Sequence, residues 1–334
     1  MEFWLFNIPS IHDIGEIARR TEAQGFDGMT LTDSQNLTPD TYVSLTLAAQ
    51  ATTRLKLGPG VTNPVTRHPA VAAAAIAALD EVSGGRAVMG IGRGDSSLFN
   101  IGHEPASPAA FEAYVRDLQS YLRGETIDQN GYPSRIRWID PDRGAKVPVD
   151  VAATGPKVIA IGARHAERVS FSVGADPERI RWALDRLDQA LPEGVARPSP
   201  GVYLNVCVDD DVARAADQVR AGVGIFAHFT GMKGATQERV PAEDAGTYRA
   251  LGQGYDRLRH GQPDASHARD LPLDFIRRFA VIGSAEECLA RLSEIAATGI
   301  ERIVVIGPRL DLYGTRAEAA NERFAKEVMP RLRR

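Results

Sequence analysis
Short apolar runs alternate along this chain with longer segments whose apolar positions recur at helical spacing. F-W-L-F-N (3–7), G-M-T-L-T (28–32), L-K-L-G (55–58), A-V-M-G-I-G (87–92), V-D-V-A-A (149–153), V-S-F-S-V (169–173), G-V-Y-L-N-V-C-V (201–208) and R-I-V-V-I-G (302–307) predict strands. Most are bounded by Gly, Pro, Asp or Asn. Between them, the spacing predicts helices over 11–24, 40–51, 69–82, 108–123, 156–166, 177–190, 210–221 and 315–329. Gly25 marks the close of the first helix. Eight strand–helix units in a chain of 334 residues predict an α/β fold, a (β/α)8 TIM barrel with insertions.

Two stretches break the alternation. Residues 124–147, with N-G-Y-P-S-R-I-R-W, read as an insertion carrying a hairpin; 228–275, rich in Gly, Pro, His and charge, reads as a second insertion. V-I-G-S-A-E-E-C-L-A-R-L reads as a helix start, with Ser284 as cap and Glu287 three residues on. With no internal repeat, the economical reading is one domain over 1–334.

Composition narrows the function. The net charge of −4 gives no electrostatic case for nucleic acid or an anionic membrane surface. No apolar run reaches the length of a membrane span, and the N-terminus lacks the basic and apolar segments of a signal peptide, so a cytoplasmic protein is expected. Cys207 and Cys288 sit in apolar surroundings and read as buried free thiols; no Cys/His spacing suggests a metal site.

In such a barrel, chemistry gathers where strands run into helices. The tips read T-D-S-Q-N, G-P-G-V-T-N-P, G-R-G-D-S-S, A-T-G-P-K and S-V-G-A-D-P-E-R. Glycines that permit close backbone approach recur on this rim, which suits a flat ligand with a phosphate tail. One seam is unusual. L-G-P-G-V-T-N-P-V-T-R-H-P (57–69) places three prolines and two glycines between a buried strand and a buried helix.

That seam, followed by D-E-V-S-G-G-R-A-V-M-G-I-G-R-G-D, resembles the bacterial luciferase-like superfamily, within it the coenzyme F420-dependent branch that includes methylenetetrahydromethanopterin reductases. The resemblance is strongest over about 28–125. It implies a non-prolyl cis peptide at Gly60–Val61 whose bulge backs the cofactor ring, with Thr62 and Asn63 alongside. It further implies Asp33 near the ring's polar edge, and Gly92, Gly94 and Asp95 at the ring edge and side chain. Thr154 and Gly155 would follow the ribityl chain, and Gly174 and Ala175 would meet the phosphate ahead of a helix capped by Asp176. Asp33, Asp95 and His68 are the candidate catalytic groups for tuning the ring or relaying a proton; His103 and Glu104 form a second donor candidate.

The chain departs from the branch in two places: Ser34 stands where some members carry His, and Phe6–Asn7 where the reductases carry Glu. The resemblance implies an oxidoreductase passing hydride between reduced F420 and a small organic substrate, acting as a homodimer. The alternatives are an FMN-dependent monooxygenase that activates oxygen and a non-catalytic flavin-binding barrel.

Overall fold
The computed structural model describes residues 1–94, 96–142, 144, 146–232, 238–260, 265–308 and 316–333. Its strands are β1 (Glu2–Asn7), β2 (Gly28–Leu31), β3 (Lys56–Pro59), β4 (Met89–Ile91), β5 (Ile127–Gln129), β6 (Tyr132–Ser134), β7 (Val149–Ala153), β8 (Arg168–Phe171), β9 (Ser199–Val208), β10 (Val281–Gly283) and β11 (Arg302–Ile306). The order β3-β2-β1-β11-β9-β8-β7-β4 is parallel throughout. Bridges Leu57–Ala87 and Thr62–Ile91 close β3 onto β4. All eight strands expected from the alternation are present, and they form the TIM barrel.

Side chains fill the barrel because glycines opposite them leave room. A Cβ on Gly28 would sit 2.4 Å from the Trp4 ring, and one on Gly201 would sit 2.8 Å from the Arg302 guanidinium. The N-terminal end is plugged by ion pairs. Glu2 accepts from Lys56 at 2.5 Å and Arg168 at 2.8 Å, while Asp150 accepts from Arg302 at 2.8 Å and Ser170 at 2.9 Å. The next layer toward the C-terminal mouth is apolar, built around Trp4, Val88, Tyr203, Val304 and Ile306.

The outer helices begin where capping chemistry predicts. Asp40, Ser107 and Asp211 cap with side-chain oxygens, and Ser284 with Glu287 forms a reciprocal capping box. Gly25, with φ of +87°, follows the first helix as expected. β5 and β6 form the hairpin expected within 124–147, and the Tyr121 hydroxyl donates to Ser134 at 2.8 Å to fasten it.

Two expectations need correction. β10 lies in V-I-G, which had read only as a lead-in to a helix, and pairs with the far end of β9. The helix expected over 210–221 runs from Val212 to Gly231, so the insertion placed at 228–275 begins inside it. Gly222 and Gly224 lie within this helix rather than ending it. They allow close packing: a Cβ on Gly222 would lie 2.6 Å from Asn205 Nδ2, and one on Gly224 3.5 Å from Ala268.

Candidate active site
The β3 tip is shaped by what lies behind it. Gly60 donates its N–H to Leu31 at 2.7 Å, and the Gly60–Val61 peptide is cis, as the resemblance implied. Only glycine fits there, because a Cβ would sit 2.5 Å from Thr30. The Val61 side chain packs into the barrel toward Gly90 and Gly92, whose own Cβ positions would be 3.4 and 3.0 Å from it. Asn63, nearly fully buried, accepts the Val65 and Thr66 N–H groups at 3.0 and 3.1 Å and so fixes the turn that follows.

Asp33 is buried, with 7% of its surface exposed. Its Oδ2 accepts from Thr62 Oγ1 at 2.6 Å and from Arg67 Nη1; its Oδ1 accepts from Gln35 at 3.0 Å. Arg67 also donates to Asp40 at 3.0 Å and lies 4.9 Å over the Tyr42 ring. Burial works against the Arg67 charge, but Asp33 more than offsets it and raises its pKa above the ordinary value. Burial pushes the Tyr42 and Tyr114 phenols above their ordinary range, so both stay neutral. Tyr114 donates to the Arg67 carbonyl at 2.9 Å. The tips of β2 and β3 and the start of the next helix are thus tied into one unit.

Sequence reasoning had named Asp33 and Thr62 but missed Arg67 as their partner. Its position in V-T-R-H-P was the available signal. His68 is the N-cap of Pro69–Ser83: it is exposed, its Nδ1 accepts the Ala70 N–H at 3.2 Å, and its ring meets Tyr121 edge-on at 6.4 Å. His68 is thus engaged as a helix cap beside a neighbouring outer helix. Glu104 pairs with Arg257 at 3.2 Å.

Gly92 donates to the Thr62 carbonyl at 2.9 Å, and Gly94, with φ of +90°, turns the chain after β4. Asp95 lies outside the described residues. Thr154 and Gly155 lead into Pro156–His165, whose N-terminus has no side-chain cap, and a Cβ on Gly155 would meet open space. The loop after β8 is different. Gly174 packs on Phe279, Ala175 donates its N–H to the Phe279 carbonyl at 2.9 Å, and Asp176 takes the Glu178 N–H at 2.9 Å. The Ala175 amide expected to face a phosphate is therefore already engaged, because Leu273–Phe279 packs over it.

Several polar side chains at this end of the barrel are buried without a hydrogen-bond partner among the described residues. Asn7 Nδ2, Thr30 Oγ1, Thr32 Oγ1, Ser172 Oγ and both amide atoms of Asn205 belong to this set. They lie on or next to β1, β2, β8 and β9. Such groups cost about 1–3 kcal/mol each when left unpaired, so several in one place mark a site built for a polar ligand or for water.

The chain is 28% identical over 344 residues to the 5,10-methylenetetrahydromethanopterin reductase of Methanolobus tindarius, covering 98% of this chain and all of that one. It is 27% identical to the F420-dependent glucose-6-phosphate dehydrogenase of Beutenbergia cavernae, over 93% of this chain and 90% of that one. The structure of the coenzyme F420-dependent tetrahydromethanopterin reductase from Methanopyrus kandleri superposes with a TM-score of 0.77 at 24% identity, covering 99% of both chains, and establishes a shared fold. The luciferase-like monooxygenase family profile matches residues 4–302. The chain belongs to the luciferase-like monooxygenase family.

Proposed function
We propose that the chain is a coenzyme F420-dependent oxidoreductase that moves hydride between reduced deazaflavin and a small organic substrate. The unpartnered polar groups at the C-terminal ends of β2, β8 and β9 carry this reading. The reductase and dehydrogenase relatives favour it over an FMN-dependent monooxygenase or a non-catalytic flavin-binding barrel.

The residues present fit such a cofactor. Gly60 and Val61 would back the ring, and Thr62, Asn63, Gly92 and Gly94 would line its edge. Thr32, Ser172 and Asn205 offer donors and acceptors that a polyhydroxylated side chain requires. Gly155 and the uncapped N-terminus of Pro156–His165 suit a phosphate better than the Gly174–Ala175 loop does. The bound deazaflavin would supply a carbon-centred hydride. Asp33 acts in this reading as a positioning residue: it holds Thr62 and Arg67, and through them the β3 tip. The protein's contribution is orientation and the exclusion of water.

The same reading treats 1–334 as one barrel domain. Its assembly as a homodimer is supported by exposed Val43 and Leu47 on one outer helix and Val71 and Val82 on its neighbour. No helix among the described residues is long and apolar enough to cross a membrane. Fluorescence titration with F420 and with FMN tests the cofactor: tighter F420 binding is expected, and tighter FMN binding would favour the monooxygenase.

A further inference from the structure
The helix Val212–Gly231 overshoots the barrel wall, and its second half lies across part of the mouth. Gly222 packs on Asn205 of β9, within 4 Å of Ile306 of β11. One turn on, Phe226 reaches side chains that face the barrel axis. Its ring centroid is 6.0 Å from Phe6 of β1, edge to face, and 6.0 Å from Tyr203 of β9, nearly parallel. Phe229 continues the surface, 5.7 Å from Phe226. Val61 and Ala152 belong to the same apolar cluster, so it abuts the β3 bulge directly. Phe6, Phe226 and Phe229 are all only half-buried.

A helix that merely completed the outer ring would turn its apolar face inward against the sheet. Here aromatic rings sit on the mouth and stay partly open to solvent beside the site of chemistry. The wall is also uncharged. Burial pushes the Tyr203 phenol above its ordinary range and keeps it neutral. Three arginines of the described strand-end loops are engaged elsewhere: Arg67 with Asp33 and Asp40, Arg93 with the Ala106 carbonyl at 2.6 Å, and Arg257 with Glu104.

We infer that Phe226, with Phe6 and Phe229, forms the acceptor wall of the site and selects an uncharged, planar, conjugated or aromatic substrate over an anionic one. The inference rests on the oxidoreductase reading and adds the substrate class to it. Offset and edge-to-face contacts with planar rings stabilise such a ligand, whereas a carboxylate or phosphate placed there loses hydration without gaining a partner.

Two probes that share a phenyl ring and a conjugated alkene separate shape from charge. The neutral enone trans-4-phenylbut-3-en-2-one and the anion trans-cinnamate are titrated calorimetrically into the full-length protein, alone and equilibrated with oxidised F420. The enone is expected to bind at least tenfold more tightly than cinnamate. Phe226→Ala should weaken the enone fivefold or more and Phe226→Leu by less, while both keep wild-type F420 affinity within twofold by fluorescence. Cinnamate binding as tightly as the enone would overturn the inference. So would enone affinity unchanged in Phe226→Ala, or an F420 affinity that falls in step with that of the enone in folded Phe226→Leu. If the wild type binds the enone but not F420, the cofactor reading fails while the aromatic wall stands. If it binds F420 but not the enone, the wall alone fails.

Discussion
Replacing Asp33 by Asn isolates the charge of one buried carboxylate. The amide oxygen takes over the role of Oδ2 toward Thr62 and Arg67, and the new NH2 faces Gln35. Gln35 can rotate its amide to meet it, because its Oε1 is buried without a partner. That rotation gives up the bond that Gln35 Nε2 donates to the Asp33 carbonyl at 3.1 Å, so one neutral hydrogen bond is lost along with the pairing charge. Arg67, with a side chain only 16% exposed, then relies on Asp40, whose side chain is 49% exposed and a weak partner. Replacing a charge-assisted bond by a neutral one costs about 1–2 kcal/mol. Asp33→Leu removes every acceptor and strands the guanidinium, which costs about 3–5 kcal/mol.

Urea unfolding gives these differences directly. A double-mutant cycle of Asp33→Asn with Arg67→Met should return a coupling of about 1 kcal/mol. F420 affinity in Asp33→Asn should fall only severalfold, since the bulge loosens without losing a ligand group. A coupling below about 0.3 kcal/mol would refute the positioning role. Wild-type stability with turnover lost more than tenfold would instead return Asp33 to direct proton chemistry.

Other outcomes follow from the same structure. Burial pushes the Cys207 and Cys288 thiols up to about 12, so neither should react with Ellman's reagent in the native protein at pH 8, and both should react in urea; a fast native thiol would contradict their burial. Burial opposes the Glu2 carboxylate, yet hydrogen bonds from Lys56 and Trp4 and the charge of Arg168 hold it down to about 2 from 4.5. That stabilisation is complete above about pH 4.5 and is lost as the pH falls toward 2, so Glu2→Gln should flatten the stability profile across that window; an unchanged slope there would contradict the plug. His68→Ala should cost about 0.5–1 kcal/mol as a lost cap, with F420 affinity unchanged; a tenfold loss of affinity would place His68 in the site.

The barrel was legible because each of its eight strands is a continuous apolar run closed by turn residues, and that pattern needs no partner to be read. The overshooting helix was not. G-V-G after Arg220 is locally a terminator, and only the presence of Asn205 and Ala268 opposite turns those glycines into packing sites. β10 was missed for a related reason: three residues gain strand geometry only by extending β9. The engagement of the Ala175 amide likewise depends on Phe279, more than a hundred residues away.

Asp33 shows why naming a site residue differs from assigning its role. In β2, Gly28 and Thr30 face the barrel axis, since Gly28 makes room for Trp4 and Thr30 crowds Gly60. Strand alternation then sends Met29 and Leu31 to the helix layer, where both are fully buried. Continued two residues further, the same alternation sends Asp33 outward with them, toward Arg67, Tyr42 and Tyr114. G-M-T-L-T-D carries this alternation in plain sight. What it lacks is the phase, because nothing within those six residues says which set is inward. The phase is set by Trp4 lying against Gly28, a contact made across two strands that pair in register. A carboxylate at a strand tip is therefore readable as part of a site from sequence, but which side of the wall it serves is decided by the neighbouring strand.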